Sequence, residues 1–485
     1  MLTSCVLPVL VYTVRNTTPQ RARGAIKRCD ASMRKSLLAI LGLSPSDIET
    51  HSLDQHLEQA FFSKSVGGLG LTKFSEIADY AFISSWLQAA VIARRLDISA
   101  RLGLPQDWFT DTQTGNLQVE TGLVDKCKSL LLNRKKENGA VDVELRKLRL
   151  AMCNLHTFDE TVKLQHRLVE VHMKDRFNEH VVNLATHDAI RLKSIQKAEG
   201  SAGWLSVLPG TAGMYLHNDV FLVRLKRWLG LPPFLQAPSK CACHVAMQEN
   251  DVRRLHMEHC SWDRCDTHNT IRDEIAAMCR QAGLTVRVEE LANRVVGLND
   301  RRDIEETDNQ GNVDAKALRF DLVCYANSSR APWVGDVTIV HPCSSTSLNA
   351  ANPLRHALTG AIAAKRRKYG KLCQLGMFDL HVYAMEQYGG VSPDTAKLFE
   401  IVAEALAKGD GDDERRSRFI SYWRRRIAVT LQRALGLKEL LMLQTMNHEA
   451  HGHALLCPTG WRWNHRPFRG RDNGYVDFIW QEKEF

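Results

Sequence analysis

"RFDLVCYANSSRAPWVGDVTIVHP", residues 319–342, places one aspartate in each of two apolar, β-branched runs. Asp321 opens "DLVCY", and Asp336 stands between Gly335 and "VTIV". Runs of this kind, separated by a polar turn containing proline, read as two strands. Aspartate is a poor strand former, and a carboxylate buried without a partner is costly. A shared cation is one reason for two of them: oxygen ligands hold Mg²⁺ and relieve the burial of both charges. Two solvated aspartates at strand edges are the other. Fourteen residues separate the pair, and an antiparallel hairpin of that length sends its strand starts to opposite ends unless an offset realigns them.

Working outward, the pattern predicts a helix over 268–283 and strands over 284–289, 319–326 and 333–341. A helix over 353–370, a strand over 377–386 and a trailing helix over 392–407 follow. That order, αβββαβ, makes a mixed sheet flanked by helices. In "AAKRRKY" (363–369), Lys365 and Lys368 lie three apart and share a helix face. A lysine beside a metal orients water or stabilises a pentacovalent phosphate. Favourable placement near a helix C-terminus explains such cations equally simply.

Just upstream, "CACHVAMQENDVRRLHMEHC" begins at Cys241. Cys241 and Cys243, then His256 and Cys260, form two close pairs of N/S ligands bridged by about a dozen residues. Such a set closes a tetrahedral Zn²⁺ site with no position left for water, hence a structural one. His244, His259 and Cys265 are further candidates, and a metal-free His/Cys-rich loop is the plain alternative.

The remainder is helical in pattern. Thr18 and Pro19 serve as cap and first-turn residues of a helix, and the glycines at 67, 68 and 70 read as a turn, since no strand precedes them. The N-terminal apolar run reads as the start of a buried helix, too short to span a bilayer and without signal-peptide flanks. Histidines in "NHEAHGH" (447–453) miss the H-E-x-x-H spacing by one residue, which leaves a zinc hydrolase little support. Hydrophobic content of 44% with 25% charged residues excludes a disordered chain. Thirteen cysteines scattered over 485 residues suit a reducing compartment with a few metal-bound thiolates, not a disulfide framework. The net charge of +9 is compatible with a polyanionic partner, and the basic residues cluster at 133–137, 365–371 and 414–426. Solvated helix faces account for any one of these clusters as well.

Taken together, "GWLSVLP", "RLKRWLGLPPF", "CAC", "HMEHC", "HNTIRDEI", "RFDLV", "GDVTIVHP" and "AAKRRKY", in that order, resemble the C-terminal part of non-LTR retrotransposon proteins. Those proteins carry a zinc knuckle of CCHC type and a restriction-like endonuclease of the PD-(D/E)xK superfamily. "LPVLVYTVRNT", "RCDASMRKSLLAILGL" and "SVGGLGLTKFSEIADYAFISSW" look like the thumb that follows a reverse transcriptase palm. The resemblance, covering roughly 1–407, implies a multidomain α and α/β chain. Its parts are a thumb-like region (1–120), a helical linker (121–239), a knuckle (240–266), an αβββαβ nuclease (267–407), then a basic helix and irregular tail (408–485). It implies Asp321 and Asp336 as Mg²⁺ ligands and catalytic acids. The family's lysine is displaced onto the helix as Lys365 or Lys368. Nucleic-acid contacts fall to His268, Arg272, Arg366 and Tyr369. Phe320 stands where proline is usual, Thr338 replaces the lysine of the tripeptide, and Thr267 replaces an arginine. The implied partners are double-stranded target DNA and the element's RNA, in the nucleus, with no membrane. No F/Y-x-D-D polymerase element occurs, so the resemblance implies a chain that does not copy RNA by itself.

Overall fold

The computed structural model describes residues 7–95, 164–197, 201–207, 213–235, 240–247, 256–260, 262, 264–296, 318–325, 333–343, 356–376, 378–406 and 413–451. Among them the chain is mostly helical around one four-stranded mixed sheet. The basic run 133–137 and residues 452–485 lie outside these residues, as do the side chains of "NHEAHGH".

Strands β1 (Thr285–Leu291), β2 (Arg319–Tyr325), β3 (Trp333–Val340) and β4 (Asp379–Glu386) lie side by side in that order. The first two pairings are antiparallel and β3–β4 is parallel, which demands a crossover. Helix His356–Gly376 supplies it and covers one face, packing Tyr369, Leu372 and Cys373 onto Phe320, Val323 and Val334. The opposite face is covered by helices Arg264–Gln281 and Pro393–Leu406, through Ile271, Ile275, Leu398 and Val402. Both faces being covered explains why β2 and β3 are apolar runs and not alternating ones.

Gly335 has a packing reason. A Cβ there would meet Tyr383 Cε2 at 2.4 Å, against the ring of a fully buried tyrosine on β4. Gly335→Ala is expected to cost about 3 kcal/mol, at the upper end of overpacking effects, read from the denaturant midpoint. An unshifted midpoint would mean that the Tyr383 ring moves freely aside.

Two expectations are corrected. The N-terminal helix Leu7–Asn16 is buried on one face only: Val14 enters the core with Leu10 and Val11 packed against it, while Val9 and Tyr12 are 64% and 71% exposed. The basic run at 414–426 is solvated on one face only. It belongs to helix Asp413–His451, which buries Phe419, Trp423, Ile427, Leu431 and Leu435 against the sheet's helices. The same helix gives Val429 to the N-terminal helical core, and Met442 and Met446 to the Cys/His module. Its arginines Arg416, Arg424 and Arg426 bind within the fold, pairing with Glu404, Glu400 and Glu274, while Arg415, Arg418 and Arg425 are exposed. At 39 residues it spans roughly 58 Å, long enough to touch all three regions.

The N-terminal helices share that continuity. Helix Pro19–Leu41 begins behind Thr18 and ends at Gly42 in the left-handed conformation, although the Thr18 hydroxyl makes no cap bond. Leu41, Leu53, Leu57 and Phe61 pack with Trp228 of helix Asn218–Trp228. That helix also carries Arg224 and Arg227, both buried on the Glu439 carboxylate at 2.7 and 2.8 Å. No described helix is long and apolar enough to cross a membrane.

Candidate metal and carboxylate sites

The Cys/His centre is assembled by a turn and a short helix. Cys241 N–H donates to the Val245 carbonyl (2.9 Å), and His244 takes a left-handed φ of 67° to turn the chain. Helix His256–His259 then presents His256, with Cys260 immediately after it. The ligand atoms of Cys241, Cys243, His256 and Cys260 all lie within 4.8 Å of one another. Cys241 Sγ and Cys260 Sγ are 3.7 Å apart, and Cys243 Sγ lies 3.2 Å from His256 Nε2. Zn–S bonds of about 2.3 Å at the tetrahedral angle put two sulfurs about 3.8 Å apart, whereas a disulfide needs about 2.05 Å. Burial pushes the Cys241 and Cys260 thiols up, a penalty that a bound cation reverses. Trp262 N–H donates to Cys260 Sγ at 3.4 Å. This set can hold a metal such as zinc. Of the further candidates, Cys265 is exposed and His244 stays outside the group, while the His259 side chain lies outside the described residues.

The aspartates meet across the hairpin. β2 and β3 pair at Leu322 with Gly335, Val323 with Val334 and Cys324 with Trp333. Beyond this register Asp321 and Asp336 lie close enough for the charge of one to act on the other. Asp321 is the third residue of its strand and Asp336 the fourth, an offset that sequence spacing left open. The strand pairing stops at Leu322–Gly335, and the Asp321 carboxylate accepts from Val337 N–H at 2.6 Å. His268 Nε2 lies 3.0 Å from Asp321 Oδ2 and 3.1 Å from the Val337 carbonyl oxygen. From the other face of the sheet, Lys365 Nζ reaches Asp336 Oδ2 at 2.5 Å as an ion pair off the line of a well-aligned hydrogen bond.

Electrostatics separate the two acids. Burial and the Asp321 charge push Asp336 above the usual carboxylate range, and Lys365 offsets only part of this. Burial acts on Asp321 too, but the bonds from His268 and Val337 outweigh it and hold it below that range. The Asp321 bond in turn raises the His268 imidazole. Two neighbouring carboxylates pushed apart in this way mark a functional site in many proteins.

The remaining candidates divide. Lys365 sits in the middle of its helix, not near the C-terminus, so the helix dipole does not explain it. Lys368 is exposed and stacks over the Tyr369 ring at 4.7 Å. Tyr369 is buried: its hydroxyl donates to the Arg319 carbonyl at 2.9 Å and its ring lies on Phe320. Arg272 is buried between Glu289 and Asp273. Tyr369 and Arg272 therefore brace the site and are not free to meet a phosphate. Arg366 is exposed and bound to Asp394 at 2.9 Å.

An open cleft of about 940 Å³ runs past Cys260, His268 and Lys365, while neither Asp321 nor Asp336 lines it. Glu258, Cys260 and Arg264 form one wall, and Val337–His341 with the crossover helix from His356 to Lys365 form the other. The sequence reading passed over Glu258, Glu289 and His341. The one available signal was an acid lodged between two ligands in "HMEHC". No protein-family model matches the sequence, and no curated protein is similar enough to count as a match.

Proposed function

We propose that this chain is a divalent-metal-dependent DNA endonuclease of the restriction-like kind, carried on a thumb-like and linker-like helical body of retroelement type. The observation that carries the reading is the meeting of Asp321, Asp336, Lys365 and His268 at the β2–β3 fork, beside an open cleft. Asp321, Asp336 and the Val337 carbonyl offer oxygen donors, and a charge on Asp336 that Lys365 offsets only in part suits a hard cation such as Mg²⁺. Such an ion, when bound, lowers the pKa of water and neutralises charge on a phosphoryl oxygen. Lys365 holds a positive charge beside Asp336, where it stabilises negative charge developing on the phosphate. His268 fixes the Asp321 carboxylate from the first helix. Double-stranded DNA is the proposed partner, gripped mostly through phosphates and hence in a salt-dependent way. The element's RNA is a second candidate partner, and a nuclear, reducing setting belongs to the same reading.

Purified chain with Mg²⁺ should nick supercoiled plasmid. Lys365→Ala is expected to slow nicking about a hundredfold, and Lys368→Ala to leave it within about twofold. Equal losses at both positions would remove Lys365 from its role, and intact plasmid under both Mg²⁺ and Mn²⁺ would refute the enzymatic reading.

One observation favours a second reading, a nucleic-acid binder without cleavage. Asp321 and Asp336 already have internal partners in His268 and Lys365. DNA binding that survives Asp321→Ala, with no nicking by the wild-type chain, would single it out.

A further inference from the structure

Glu258 lies between two of the four metal-ligating residues, yet its carboxylate points away from them into the protein. It is 6% exposed and accepts from three separate elements. His341 Nε2, one residue past β3, donates at 2.7 Å, and the Tyr388 hydroxyl, just past β4, at 2.9 Å. Arg227 Nε, on helix Asn218–Trp228, stands 3.4 Å away. The Glu258 backbone carbonyl accepts from Gln387 Nε2 at 3.2 Å. His341 is set for this bond, because its Nδ1 accepts from Cys343 N–H at 3.1 Å and leaves Nε2 as the donor. Next along the chain, the Cys260 carbonyl accepts from Lys438 Nζ of the long helix at 2.7 Å.

Helix His256–His259 has only four residues. A single turn does not hold itself together in water, so its order comes from what binds it. Two things do: metal ligation through His256 and Cys260, and the buried contacts of Glu258. Anything that orders this turn from one side lowers the cost of ordering it from the other, and such coupling is reciprocal. The far end of the Glu258 contacts is β3, the strand that carries Asp336, and Glu258 itself walls the cleft.

We propose that Glu258 is a positioning residue that couples metal occupancy of the Cys/His centre to the order of the β3 end and of the cleft wall. Loading the centre sets the Glu258 carboxylate on His341 and Tyr388, and emptying it releases the wall beside the carboxylate site. The regulatory meaning of this coupling rests on the nuclease reading, but the coupling itself does not.

The test uses the full chain and zinc alone. Removing zinc from the wild-type chain should speed amide exchange at least tenfold in 333–343 and 383–388. Zinc-loaded Glu258→Gln should show part of the same acceleration and need about tenfold more zinc for half-saturation, measured against a competing chelator. Tyr388→Phe keeps every charge and removes one bond, so it should shift both readouts in the same direction by less, and it stands in if Glu258→Gln does not fold. Exchange in β3 that ignores zinc overturns the proposal, as does unchanged zinc affinity in both variants. Neither readout depends on cleavage, so an absence of nicking would fail the nuclease reading and leave this one standing.

Discussion

Asp336→Asn is expected to abolish plasmid nicking while leaving the chain folded. The loss should be at least about a hundredfold in rate, the scale of removing one preorganised electrostatic group from a reaction centre. The side chain is 1% exposed and keeps its shape on substitution, so the packing of β3 on the crossover helix is retained. Removing the charge also ends its repulsion with Asp321, which lies one ladder step from the paired residues. Thermal stability should therefore stay level or rise slightly as cleavage disappears. That opposition separates a functional carboxylate from a structural one. Cleavage that persists in Asp336→Asn would remove this residue from the site. A large fall in melting temperature would instead make the Lys365–Asp336 pair a fold determinant.

Stripping the metal from the Cys/His centre should produce the largest loss of stability. Structural zinc contributes roughly 10 kcal/mol or more to small isolated modules. Here Met442 and Met446 pack against the module and Lys438 holds the Cys260 carbonyl. Part of its order therefore survives without metal. A loss on the order of 5 kcal/mol is expected, enough to lower the melting transition by roughly 10 °C or more. Calorimetry with a zinc-selective chelator, in excess Mg²⁺, reads it, and Cys241→Ser should reproduce it without chelator. A transition unmoved by either treatment would mean that the four side chains meet without holding a metal.

Much of the carboxylate site was legible in the residues because it rests on local chemistry. Apolar β-branched runs with a turn between them make a hairpin whatever surrounds them, and the paired N/S ligands of 241–260 suit a metal such as zinc by donor type and spacing. The strands follow from periodicity in the same way and lie within two residues of their expected bounds, whereas the short helix Ala292–Val296 between the first two strands was not expected and the crossover helix runs on to Gly376, past its expected end at 370. Basic residues were the weak point. A run of arginines looks alike whether it meets solvent, DNA or glutamates from another helix, and in Asp413–His451 Arg416, Arg424 and Arg426 meet such glutamates while Arg415, Arg418 and Arg425 are exposed.

By itself, then, the sequence determined the hairpin with its two aspartates, the crossover helix with its lysines, and a Cys/His cluster whose four converging members the tertiary structure picked out. Tertiary structure alone decided that Asp321 comes within electrostatic reach of Asp336, that Lys365 and not Lys368 pairs with Asp336, and that Glu258 links the ligand turn to His341 just past β3. The reason is physical. Strand and helix periodicity are properties of neighbouring residues, while register, the reach of one side chain and the partner of a buried charge depend on elements brought together from distant parts of the chain.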